Sequence, residues 1–121
     1  MNSKKSSLAG FIDGLQASNI ASNSSVLKVS TDYLYMQVKD IENESINDTI
    51  KEIRNLLEKD YNLHVVDLYI KLGEELKILL ASDVKIKNRK EIASQYLSIA
   101  KILMDKRVDD AAVAIAKIAV Q

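Results

Sequence analysis

The stretch from Leu63 to Leu80, LHVVDLYIKLGEELKILL, constrains the fold more than any other part of the chain. Read as a helix, it lines up Val65, Leu68, Leu72, Leu76 and Leu79 at three- and four-residue steps. Val66, Tyr69, Ile70, Gly73 and Leu80 fall beside them. An apolar arc this wide is too broad for one neighbour, so the helix belongs in the middle of an assembly of helices. Gly73 stands inside the arc. A glycine there costs about 1 kcal/mol relative to alanine, and another group coming close against the backbone would explain it.

Other amphipathic stretches surround this one. Ile46, Ile50, Ile53 and Leu57 follow a start at Ser45, where Ser45-x-x-Asp48 resembles a capping box. Glu91–Lys106 carries Ile92, Tyr96, Ile99 and Leu103 along one line, with Ala93, Leu97, Ala100 and Met104 along the next. Asn88 is available to cap it. Arg107–Asp110 reads as a connection into a last helix, Ala111–Val120, interrupted in its apolar run only by Lys117. Val26–Asp40 is ambiguous. Val26, Val29, Tyr33 and Met36 form one helical seam and Leu27, Leu34, Val38 and Ile41 another, yet Val, Thr and Tyr also favour strands. We expect a helix there, with a short strand near residues 26–30 as the alternative.

Ahead of these, Leu8, Phe11, Ile12 and Leu15 recur at the spacing of one short amphipathic helix, weakened by Gly10 and Gly14. The Ser- and Asn-rich ASNIASNSS that follows reads as a linker. The expected organisation is therefore a mobile arm over residues 1–25 and an all-α domain over 26–121, a bundle of four or five helices. The arm is a candidate docking segment for another protein, through Leu8, Phe11, Ile12 and Leu15.

Composition narrows function mainly by exclusion. With no cysteine, there are no disulfides, thiolate metal sites or cysteine nucleophiles. Aromatics make up only 5% of the residues, which favours a core of aliphatic ridges over an aromatic-lined ligand pocket. Seventeen basic residues balance seventeen acidic ones, so the chain lacks the overall basicity of a dedicated nucleic-acid binder. No apolar run is long enough to span a bilayer, and the first residues lack the unbroken apolar core of a secretory signal, so a cytoplasmic location without membrane contact is expected.

Catalytic patterns are missing. His64 is the sole histidine, with Asp60 and Asp67 as its only sequence-near carboxylates. Adjacent pairs such as Glu74-Glu75 and Asp109-Asp110 diverge on a helix and cannot act as a dyad. Glu42, Glu44 and Asp48 lack the spacing of a calcium loop. Neither a phosphate-binding glycine loop nor a nucleophile elbow occurs. The expectation is a non-enzymatic protein without metal or cofactor.

Two local patterns resemble known modules. Residues 26–30 as a strand, followed by helices opening near Asp32 and Ser45, resemble a ribbon-helix-helix unit, without its glycine turn. That resemblance implies DNA contact through Lys28. Tyr96-x-x-Ile99-Ala100-x-x-Leu103, with Ala112 and Ala119 beyond, is similar to a tetratricopeptide hairpin, though no second copy follows.

Charge is segregated. Residues 40–60 hold seven acids against three bases, and residues 85–107 seven bases against two acids. These segments are expected to face each other within the bundle, or to meet a second copy or an outside partner. The preferred function is a small assembly protein that self-associates through its last helix, by Ala112, Ile115, Ala116, Ile118 and Ala119. The alternatives are a DNA-binding regulator using Lys28, Lys85, Lys87, Arg89 and Lys90, and a helical immunity or inhibitor protein.

Overall fold

The computed structural model describes Ile20, residues 22–59 and residues 63–120. Among the described residues five α-helices are defined: α1 (Ser24–Val38), α2 (Glu44–Glu58), α3 (Leu63–Ala81), α4 (Arg89–Leu103) and α5 (Lys106–Ala119). A 3-10 turn, Lys39–Ile41, follows α1. The described residues contain no strand, so residues 26–30 continue α1 and the ribbon-helix-helix reading fails. The helix is held by packing of its other face, with Leu27, Thr31, Leu34 and Val38 all buried, while the strand-favouring Val26 and Val29 stay half-exposed. Ile20 is also fully buried, so the core begins ahead of residue 26.

The helices close into a ring in the order α1, α2, α3, α5, α4, each packing on the next. The core fills the ring, with two fully buried tyrosines, Tyr69 and Tyr96, among its aliphatic side chains. The Tyr96 hydroxyl donates to the backbone oxygen of Tyr69 at 2.6 Å. The Tyr69 hydroxyl meets Thr31 Oγ1 at 2.6 Å, tying α3 to α1 across the interior. Gly73 explains the first contact. A Cβ placed on it would collide with the Tyr96 hydroxyl and stand 2.9 Å from Ala111 Cβ. The missing side chain lets α4 and α5 both reach the α3 backbone. Burial pushes both tyrosine hydroxyls well above their ordinary pKa of 10.0.

Several helix starts differ from the sequence expectation. Asn43, not Ser45, caps α2, its side chain accepting from the Ile46 N–H at 3.0 Å. Ser45 instead turns its hydroxyl to Glu75 on α3, where Thr49 Oγ1 also lies 2.6 Å from the carboxylate. Glu74 diverges from Glu75 and meets Lys77. The last helix begins at Lys106, capped by Asp105, whose carboxylate accepts from the Arg107 N–H at 2.9 Å. Residues 107–110 are therefore helical, and Val108 is fully buried. Met104 closes α4 in the left-handed region at φ 56°, leaving a tight corner between α4 and α5.

Candidate interaction surface

At one end of the molecule the segment from Ser82 to Asn88 carries the chain from α3 to α4. Because α5 lies between those helices in the ring, the segment has to pass its C-terminal end. Ile86 is buried along the way. Arg89 then donates through Nη2 to the Leu80 oxygen at 2.7 Å and the Ile118 oxygen at 3.1 Å. These are carbonyls at the C-terminal ends of α3 and α5, where helices carry partial negative charge; the Ile118 oxygen also accepts from the Val120 N–H. Asn88 stands at the N-cap position of α4 as expected, but its side chain makes no capping bond. Its side chain donates to the backbone oxygen of Gln37 at 2.8 Å and to Gln37 Oε1 at 2.6 Å, fastening the crossover to α1.

This geometry gives the basic stretch a structural role. Of its four cations, Arg89 is committed to helix ends, whereas Lys85, Lys87 and Lys90 are exposed. Lys28 is not part of the cluster. It lies nine residues before Gln37 on α1, about 13 Å along the helix axis. The ion pairs run elsewhere: Arg54 to Asp32 at 3.1 Å, Arg107 to Asp105 at 3.0 Å and Lys106 to Asp110 at 3.4 Å. The hydrogen bond and charge of Asp105 raise the Arg107 pKa further. The acidic helix α2 packs on α1 and α3, so the two charged segments are not facing partners in the ring.

The residues expected to meet a second copy are mostly used internally. Ala112, Ile115 and Ala119 are buried in the chain's own core, because α5 is wedged between α3 and α4. That wedge gives an apolar last helix the cover that a second subunit was expected to supply. Ala116 and Ile118 are half-buried. Ala116 and Ala119 line a shallow hollow of about 280 Å³ against Ala93 and Leu97, with Val120 at its rim.

Among the described residues, a run of exposed apolar side chains lies on α1. Val26, Val29, Tyr33 and Met36 expose 50%, 53%, 57% and 55% of their surface. Their spacing puts all four within one quarter of the helix circumference, roughly opposite Leu27, Thr31, Leu34 and Val38. Both sequence seams were real; one is core and the other faces outward. Helices apolar on two faces are ordinarily covered on both. At its C-terminal end the stripe continues into a hollow of about 520 Å³, bordered by Met36, Asp40, Ile41, Val84 and Lys85. Val84 is exposed there as well. On the opposite flank Arg54 lies over the Tyr35 ring at 5.7 Å while it pairs with Asp32.

His64 is exposed in the first turn of α3, and Asp60 lies outside the described residues. Among the described residues no group of three or more metal-ligating side chains comes together, and no helix is long and apolar enough to cross a membrane. The arm residues Leu8, Phe11, Ile12 and Leu15 also lie outside the described residues. Comparison with models of protein families, with curated proteins and with solved structures returns no match.

Proposed function

We propose that this chain is a non-enzymatic interaction protein, and that its contact face is the outward side of α1 rather than the last helix. One observation carries the reading: four large apolar side chains at helical spacing are half-exposed on a helix whose other face is already buried. A stripe of this shape suits an amphipathic helix laid along it, with side chains at three- and four-residue steps entering between Val26, Val29, Tyr33 and Met36. Binding would come from aliphatic and aromatic burial, with the Tyr33 ring as the anchor.

The test is a selection from a library of displayed peptides against the full chain. Enriched peptides should show apolar residues at i, i+3, i+4 and i+7 and should lose binding to Tyr33→Glu. That variant should match the parent in denaturant unfolding to within about 0.5 kcal/mol, because the side chain points to solvent. Selected peptides that bind Tyr33→Glu undiminished, or a selection that enriches nothing, would end this reading.

A further inference from the structure

We infer that the partner of the α1 stripe is an amphipathic helix bearing two carboxylates, three or four residues apart, at the end that lies over Met36. The inference rests on the reading of α1 as a contact face and names the chemistry of what binds there. Three observations carry it.

The first is where unpaired charge lies. Along most of its length the stripe is flanked by neutral or paired groups. Ser30 and Gln37 stand on one side, and the Asp32–Arg54 ion pair at 3.1 Å on the other. The Met36 end is different. The hollow there has apolar walls from Met36, Ile41, Val84 and Ile86, and two ammonium groups, those of Lys85 and Lys87. Both lysines are exposed, and neither takes part in an ion pair among the described residues. Asp40 is the one carboxylate in the lining, so positive charge is left over.

The second is spacing. Lys85 and Lys87 stand on either side of the buried Ile86, in a crossover that is not helical. Two residues of extended chain span about 6.6 Å. Carboxylates four residues apart on a helix are separated by about 6 Å along its axis. The two pairs therefore match in length. The crossover is also held in place: Asn88 bonds Gln37 at 2.8 and 2.6 Å, and Arg89 bonds the ends of α3 and α5. Little freedom is lost in presenting the lysines to a partner.

The third is continuity. Val84 is 49% exposed and carries the apolar surface past Met36 to the lysines. One straight helix can bury its apolar side on α1 and reach both ammonium groups. The stripe offers a few hundred Å², short of the roughly 800 Å² that each partner buries between folded chains. A single helix fits it better than a second globular copy. Exposed ion pairs add little affinity, so the lysines select among amphipathic helices rather than hold them.

The peptides selected against the full chain supply the probe. Enriched sequences should carry Asp or Glu at i and i+3 or i+4 at one end of the apolar run. The tightest of them and its analogue with both acids changed to lysine are then titrated by fluorescence anisotropy. The acidic form should bind about tenfold more tightly at about 50 mM salt, and about twofold at about 500 mM. Lys85→Glu with Lys87→Glu should reverse the preference. Lys101→Glu with Lys117→Glu makes the same change of net charge at exposed positions of α4 and α5 and should preserve it. Both double variants should unfold in denaturant as the parent does, since all four side chains are exposed.

Enriched peptides without the acid pair, equal binding of the two forms, or a reversal by the α4 and α5 substitutions would overturn the proposal. So would two other occupants. Sedimentation with phosphatidylserine vesicles that Tyr33→Glu abolishes would assign the stripe to a lipid surface. A dimer in light scattering that Tyr33→Glu dissolves would assign it to a second copy. The two readings fail separately. Peptides with the apolar spacing that ignore charge leave the contact face standing and remove this partner chemistry, whereas a selection that enriches nothing removes both.

Discussion

At Gly73, helix propensity and packing pull in opposite directions. Alanine would gain up to about 1 kcal/mol of helix propensity. Its methyl group, however, would enter space held by the Tyr96 hydroxyl and stand 2.9 Å from Ala111 Cβ. Neither neighbour yields readily, since Tyr96 is buried and bonded to the Tyr69 oxygen and Ala111 is fixed on α5. Overpacking costs about 1–3 kcal/mol, so Gly73→Ala should be destabilising on balance, by about 1 kcal/mol or more, in urea unfolding. The tyrosines make a second prediction. A hydroxyl whose folded pKa is raised holds its proton longer in the native state than in the unfolded one. Its stabilisation is fully present below the unfolded value of 10.0 and is lost as pH climbs above it. Each tyrosine should steepen the alkaline loss by up to about 1.4 kcal/mol per pH unit. Tyr96→Phe should cost about 1 kcal/mol at neutral pH and remove its share of the alkaline slope, which unfolding series from pH 8 to 12 would measure.

Among the elements, the crossover between α3 and α4 depends most on a single side chain. The Arg89 guanidinium bonds the ends of two helices that are remote in sequence, and lysine cannot reproduce that planar reach. Arg89→Met and Arg89→Lys should both destabilise, the first by about 1–3 kcal/mol and the second nearly as much. Thermal unfolding of the two variants checks this. An Arg89 that mattered only for binding an outside anion would leave both melting points unchanged. Much at this scale was legible in the sequence. The central helix was delimited to within one residue at its C-terminal end, and the line Ile46, Ile50, Ile53, Leu57 is the buried face of α2. The failures share a cause. Caps depend on which polar side chain wins a local competition, so Asn43 displaced Ser45, and Asp105 starts the last helix ahead of the expected Ala111. Periodicity identifies an apolar face without identifying its neighbour. The two seams of α1 therefore looked equivalent, and the apolar α5 looked like a subunit contact.

The whole molecule is defined by its ring order, which no local pattern encodes. Sequence-adjacent helices pack closely except at one place, where α5 inserts between α3 and α4 and leaves them to meet mainly through Tyr96. That insertion accounts for the chain's own use of Ala112, Ile115 and Ala119, for the long crossover and for the work of Arg89. Among the described residues, the outer side of α1 keeps four half-exposed apolar side chains, on which the proposed function rests.

The same insertion fixes when the ring of helices can close. During synthesis the first four helices leave the ribosome with a gap in the wall where α5 belongs. Gly73 then has no Ala111 against it, and the carbonyl at Ile118 that Arg89 bonds has not yet emerged. A nascent chain halted before residue 106 therefore carries an open, apolar seam along α3 and α4, which closes only when the fourteen residues of α5 follow.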